Sequence, residues 1–354
     1  MDETSYYHSI AIVTHSGYAT MKRYRNAAGG SWEAAYHMLS ENPAMLPENA
    51  PPLPDPREAY EHMESLGMRL VIDMQKEFPE ALRHIPYPPF GIYLRGGDGA
   101  TFLFPSATLA VVGTRRASAD GKKIARSFAR ELAAAGFAIA SGLAFGIDGA
   151  AHEGALDAGG ATVAILAGGL DDIYPHSHRA LAERILASGG MLVSEYPPGE
   201  VPFGYRFIER NRIISGISRG TLIVEAPEES GSLATARYAL EQDRDVFVVP
   251  GAITANNFRG SHSLIRQGAE LVTSPDDILD AYGIDKKKNT LAGAEASSPE
   301  ETLVLKALAD VSGATDVDKL IALTRLEPRV INQTLSFLLL RGIVKETDAG
   351  YTIG

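Results

Sequence analysis

From residue 109 onward, short apolar runs alternate with longer stretches of helical periodicity. The strand-like runs fall at 109–112, 137–141, 161–167, 191–194, 222–226, 246–249 and 270–272. Helical stretches separate them at 122–135, 149–157, 180–187, 207–216, 233–242, 264–267 and 275–282. In the first of these helices Ile124, Phe128 and Leu132 recur every four positions, marking one buried face. Strands that are apolar throughout, alternating with helices, predict a parallel sheet covered on both faces. The fold class expected is therefore α/β, an extended Rossmann-like, mostly parallel sheet.

The flanks read differently. Residues 1–60 predict short helices, at 18–24 and 31–39, broken by Asn26-Ala-Ala-Gly-Gly30. Trp32, the only tryptophan, is expected to plug their small core. Six prolines within 42–56 read as an extended linker, followed by a helix at 56–66 and strands at 69–72 and 91–94. Residues 285–298 are polar and poor in large apolar side chains, so they read as a second linker. Beyond it, helices at 300–309, 317–324 and 327–340 and a hairpin at 343–353 predict a winged helix. The domains expected are thus a small helical, SAM-like one over 1–60, the α/β domain over 61–284, the linker 285–298 and the winged helix over 299–354. That last segment holds six Lys/Arg against eight Asp/Glu, with Arg329 the basic residue of its third helix and Arg341 just past its end. Protein contact or stability suits it better than phosphate contact.

Charge narrows the function. A net charge of −11 argues against coating nucleic acid through bulk positive charge. Yet 114–130 carries Arg115, Arg116, Lys122, Lys123, Arg126 and Arg130 against Asp120 alone. Residues 204–219 carry Arg206, Arg210, Arg212 and Arg219 against Glu209. Two basic islands on an acidic body point to a local phosphate-binding groove, although Lys123, Arg126 and Arg130 also fit a solvated helix face. The absence of cysteine excludes disulfides, zinc-thiolate sites and thiol catalysis. The opening residues lack a signal-peptide pattern and no apolar run is long enough for a bilayer, so a cytoplasmic protein is expected.

In a parallel sheet, ligands sit outside the C-terminal strand ends. Gly113, Ser141-Gly142, Gly168-Gly169, Glu195 and Glu225 all fall there. Gly113-Thr114-Arg115-Arg116 joins a strand to a helix, where free N–H groups and guanidinium groups favour an anion. Pairing of the arginines with carboxylates is the competing reading. In Phe207-Ile-Glu-Arg210-Asn211-Arg212, the phenylalanine could stack a base while Arg210 takes a phosphate. By spacing alone Phe207 reads as core, with the arginines buried against Glu195 or Glu225. Ser230-Gly231-Ser232 offers hydroxyls and helix-start donors, or ordinary capping. Asp148 is expected to cap the helix after Ser141-Gly142, and His152 to be structural. Neither a P-loop nor a dinucleotide fingerprint is present. Gly216-Ile-Ser218-Arg-Gly220 matches a nucleophile elbow by letters, but on a helix-to-strand passage. His176-Ser-His178 lacks metal-site spacing; neither a metal nor a cofactor is expected.

Val112-Gly113-Thr-Arg115, Ser141-Gly142-Leu-Ala-Phe-Gly-Ile-Asp148-Gly-Ala-Ala-His152, Tyr174-Pro175, Ser194-Glu195, Arg210-Asn211-Arg212-Ile-Ile-Ser-Gly216, Ser230-Gly231-Ser232 and Val249-Pro250-Gly251, in that order, resemble the DNA-processing protein A family. The likeness covers about residues 70 to 283. It implies a protein that binds single-stranded DNA without cutting it, dimerises through the Rossmann-like domain, and loads the RecA recombinase during natural transformation. Carried onto this chain, it makes Arg115 a phosphate contact and Phe207 a stacking platform, with Arg210 and Arg212 completing the groove. Gly113, Thr114, Arg116, Ser141, Gly142, Asn211, Gly231 and Ser232 complete the expected DNA-binding set. A surface near Leu264-Ile265 is the expected site of dimerisation. The alternative is a nucleotide-processing enzyme, since fold and Ser230-Gly231-Ser232 loop are similar to lysine-decarboxylase-like phosphoribohydrolases. Thr235-Ala-Arg237-Tyr238 lacks the catalytic glutamate of that loop, so Glu225 and Glu195 would have to serve.

Overall fold

The computed structural model describes residues 2–97, 107–284, 299–310, 314–340, 343–347 and 350–353. The second linker, Arg341 and the tip of the terminal hairpin lie outside them. Two compact units are formed, Met1–Ile278 and Leu279–Gly354.

The first unit opens with helices α1 (Glu3–Thr14), α2 (Tyr18–Ala27), α3 (Trp32–Glu41) and α4 (Pro56–Ser65), then β1 (Met68–Ile72), α5 (Glu80–Arg83) and β2 (Gly91–Gly96). The alternating region follows as β3 (Thr108–Val112), α6 (Ala119–Ala134), β4 (Ala138–Ser141), α7 (Ile147–Asp157), β5 (Thr162–Leu166), α8 (Arg179–Ala187) and β6 (Met191–Ser194). It ends with α9 (Gly204–Gly216), β7 (Gly220–Ile223), α10 (Gly231–Glu241), β8 (Asp245–Val248), α11 (Arg259–Arg266), β9 (Glu270–Leu271) and α12 (Pro275–Ala281). These strands make one nine-stranded sheet in the order β1-β2-β6-β5-β4-β3-β7-β8-β9. Only β2 opposes its neighbours, pairing antiparallel with β1 and β6.

Strand periodicity explains how one sheet serves two cores. Ala164, Leu166 and Leu192 face the N-terminal helices, while Val163, Ile165, Met191 and Val193 face the layer holding Ile213, Ile214 and Ala236. Successive side chains of a strand point to opposite faces, so both must be apolar. Trp32 is fully buried, with Tyr7 edge-on at 5.1 Å, in the cluster that continues onto the sheet through Leu70 and Tyr93. Helix α1 escapes the hydrophobic pattern because Thr4, Ser5, His8 and Ser9 are buried along with its apolar residues. No polar face marks its period.

The chain builds β3 to β6 outward in one direction, then returns to lay β7 along the other edge of β3. Leu109 pairs with Gly220 and Val112 with Ile223. The loops leaving β3 and β7 therefore diverge, and that reversal point is where an open α/β sheet leaves a crevice.

The second unit has helices at Pro299–Asp310, Val317–Thr324 and Pro328–Leu340 and an antiparallel ribbon of Val344–Thr347 with Gly350–Ile353. Leu305, Leu308, Leu320, Ile331, Leu335 and Val344 form its core.

Candidate nucleic-acid interface

A crevice of about 460 Å³ opens at the β3/β7 reversal. The loop after β3, the start of α7, one face of α9 and the first turn of α10 line it. Of the residues expected from sequence, Gly113, Thr114, Arg115, Arg116, Phe207, Arg210, Asn211, Gly231 and Ser232 meet there. A larger hollow of about 670 Å³ beside the proline-rich segment is lined by a single ionisable side chain, Glu48. Volume alone does not mark the chemistry.

Gly113 is required by close approach: a Cβ would stand 2.5 Å from Ile147 Cγ1 and 2.9 Å from the Glu225 carbonyl oxygen. The backbone N–H of Thr114 donates to that same carbonyl at 2.8 Å, tying the two diverging loops together. Thr114 Oγ1 accepts from the Arg116 N–H at 3.2 Å, bracing the turn. Arg115 and Arg116 are left exposed, and neither joins an ion pair among the described residues. The Arg115 guanidinium lies 4.4 Å above the Phe207 ring. Phe207 is only half-buried, which corrects the core reading drawn from its helical spacing. Its helix face turns to the crevice because Ile213 and Ile214, further along α9, supply the core contacts.

Three other expectations are corrected. The positive end of α6 is not open to an outside anion. The fully buried Glu225 carboxylate accepts from the Ser118 N–H at 2.9 Å and from Asn257 Nδ2 at 3.0 Å. Ser118 also caps the helix, accepting from the Gly121 N–H at 2.9 Å. Second, Arg212 does not line the crevice. Its Nη2 donates to both oxygens of Glu195 at 2.8 Å, and the two side chains are 5% and 7% exposed. Burial pushes the Glu195 carboxyl up, and Arg212 opposes that shift. Third, Asp148 sits inside α7 rather than capping it, and accepts from the Gly142 N–H at 3.1 Å.

Arg210 forms the floor. Its Nη1 donates to the carbonyls of Gly142, at 2.9 Å, and Ile165. A Cβ on Gly142 would meet Arg210 Nη2 at 2.5 Å and Asp148 Oδ2 at 2.7 Å, so glycine is what lets these charges approach. Burial pulls the Arg210 guanidinium down to about 10 and pushes the Asp148 carboxyl up; each charge partly offsets the shift of the other. Ser141 is fully buried and donates to the Val111 carbonyl at 2.7 Å, outside the crevice. Asn211 reaches across to α10, donating to the Gly231 carbonyl at 3.3 Å. Ser230 caps α10, and the helix start borders the crevice with Ser232 and Thr235.

Charge counting overstates the basic islands. Lys123 pairs with Asp120, Arg126 with Asp157 and Glu153, Arg206 with Glu200 and Arg212 with Glu195. The crevice itself holds Arg115, Arg116 and Arg210 against Asp148 and Glu229, a formal balance of +1. Its affinity for an anion therefore rests on two exposed guanidinium groups. Glu225 and Glu195, the carboxylates an enzymatic reading needs, are both buried and committed to other partners.

Tyr174 was missed by reading the residues alone. Its ring is 45% exposed and 5.8 Å from Phe207, and both border a recess that continues the crevice past Gly142 and Gly168. More than forty residues of chain separate Tyr174 from the first basic island, so only the fold brings them together. His152 is fully buried, with Nδ1 2.7 Å from Thr162 Oγ1, and burial pulls its imidazole down to about 3. Ser218 Oγ donates to the Ile214 carbonyl at 2.8 Å in the passage from α9 to β7. Leu264 packs into the core, and Ile265 beside it is half-buried.

The chain is similar to several curated proteins and solved structures. Protein Smf of Escherichia coli is 48% identical over 200 residues, which is 55% of this chain and 54% of that protein. The chain thus spans about half the length of that curated relative. The X-ray structure of DNA processing protein A from Streptococcus pneumoniae matches with a TM-score of 0.64 and 32% identity, covering 79% of this chain and 98% of that one. DNA processing protein A from Helicobacter pylori, solved to describe its single-stranded DNA binding mode, matches with a TM-score of 0.52 and 29% identity, covering 61% and 95%. Residues 69–283, which hold the sheet and the whole crevice, match the family model for DNA recombination-mediator protein A, and the chain belongs to that family.

Proposed function

We propose that the crevice binds single-stranded DNA without cleaving it. The observation that carries this reading is the exposed Arg115 guanidinium seated over the half-buried Phe207 ring at the reversal point of the sheet. A cation beside an aromatic face lets one site hold a phosphate and stack a base, with little regard for sequence. Gly113, Thr114, Arg116, Arg210, Gly231 and Ser232 border the same strand path. Tyr174 supplies a second ring along it. Ser141 and Gly142 act beneath it and Asn211 on its wall, holding the loops and Arg210 in place.

The binding mode described for the Helicobacter pylori relative supports the same ligand. Membership of a recombination-mediator family extends the reading to a partner. We place the chain as a homodimer that delivers the bound strand to the RecA recombinase during natural transformation, in the cytoplasm. No helix among the described residues is long and apolar enough to cross a membrane.

Labelled single- and double-stranded oligonucleotides titrated across a range of salt test the reading. Preference for the single strand, with affinity falling as salt rises, is expected. Equal affinity for duplex, or affinity indifferent to salt, removes it.

A further inference from the structure

Helix α9 has a second face. Phe207, Ile208 and Asn211 turn to the crevice, whereas Tyr205, Arg206, Glu209 and Arg212 border a separate cavity of about 290 Å³. Positions 205, 209 and 212 recur at helical spacing, so this is a face of α9 and not an extension of the DNA path. The opposite wall comes from the turn between α1 and α2, where His15 and Ser16 both adopt left-handed backbone, and from Tyr87.

Three properties define what fits. Five tyrosines, Tyr18, Tyr87, Tyr196, Tyr205 and Tyr238, line the cavity, so its walls favour a flat ring. Its two guanidinium groups are already paired, Arg212 with Glu195 and Arg206 with Glu200 at 2.7 Å, which leaves Glu209 as the lining carboxylate outside these pairs. A phosphate would bring an uncompensated negative charge beside these carboxylates, which the site disfavours. Finally, Arg212 Nη1 and Arg206 Nε are buried donors with no hydrogen-bond partner among the described residues. Arg212 and Arg206 are 4% and 2% exposed. Buried donors require acceptors, while the Glu209 carboxylate can accept from an N–H group.

We infer that this cavity binds a neutral, planar nitrogen heterocycle of the nucleobase class, carrying ring carbonyl or imine acceptors for Arg206 and Arg212 and an N–H donor for Glu209. Such a ring reaches the site as a free base or nucleoside, or as one base of a DNA strand.

Ligand-observed NMR and equilibrium dialysis of the full chain with adenosine, guanosine, cytidine and thymidine, and with orthophosphate as the charge control, test the assignment. At least one nucleoside is expected to saturate the site, and orthophosphate neither to bind there nor to compete. Tyr87→Ala and Tyr205→Ala, at rim positions 63% and 59% exposed, should each weaken binding about tenfold or more. Arg115→Ala should leave it unchanged, which separates this cavity from the DNA crevice. If an alanine variant melts early, Tyr205→Leu keeps the bulk and removes the ring. Competition by an oligonucleotide identifies the strand as the source of the base; its absence identifies the free nucleoside. The inference is overturned if no nucleoside saturates, if orthophosphate competes, if the rim variants bind as wild type, or if Arg115→Ala abolishes binding.

Discussion

Replacing Arg115 by alanine isolates the physical basis of DNA binding here. The side chain is exposed and joins no ion pair among the described residues, so its loss should cost the fold less than about 0.5 kcal/mol. On binding, a phosphate loses a charge-assisted partner, worth about 1.5–2 kcal/mol. That predicts a fall in affinity of roughly tenfold to thirtyfold at moderate salt. The salt dependence is the sharper readout. Each phosphate neutralised on a single strand contributes a slope of about −0.7 to log K against log salt. With Arg115 and Arg116 engaged, raising salt from about 50 to 200 mM should weaken the wild type about sevenfold. The variant, with one engaged cation, should weaken only about two- to threefold. Fluorescence anisotropy on a mixed-sequence oligonucleotide measures both quantities. An unchanged slope in the variant would refute the argument, because Arg115 would then hold no phosphate. A wild-type loss of near twentyfold would instead count Arg210 as a third phosphate contact.

Tyr174→Ala should weaken single-strand binding by about 1–3 kcal/mol, the range for one stacked base, with the salt slope unchanged in the same titration. Gly142→Ala places a methyl 2.5 Å from Arg210 Nη2 and should lower both stability and affinity, by about 1–3 kcal/mol of overpacking in thermal or denaturant melts. Glu195→Ala leaves Arg212 charged and buried, and should destabilise the fold by about 3–5 kcal/mol in denaturant unfolding. His152 and His8, pulled down to about 3 and about 4 by burial, are neutral when folded and bind a proton when unfolded. The unfolded chain therefore holds more protons below about pH 6.5, and stability falls as pH drops from there toward 3. Melting temperatures between pH 7 and 4 should show this, and a His152→Gln variant should show a shallower fall.

The alternation of apolar runs with helical periodicity was enough to reveal the sheet, because strands buried on both faces leave no polar positions to blur the signal. Gly113 could be read as a strand-end turn for a related reason: a side chain has no room there. Local pattern failed where burial is set by distant segments. Helix α1 carries polar residues on its buried side, and the fate of each arginine depends on carboxylates far along the chain. Arg210 and Arg212 stand two residues apart in one triplet, yet the turn of α9 sends one to the crevice floor and the other to Glu195. Likewise Glu225 occupies the helix end that Arg115-Arg116 mark as an anion site, and Tyr174 meets Phe207 only across the folded rim. Sequence by itself determined the architecture and the strand ends where chemistry gathers. Tertiary structure decided which charges stay free, since pairing and desolvation act through space over a few ångströms regardless of separation along the chain.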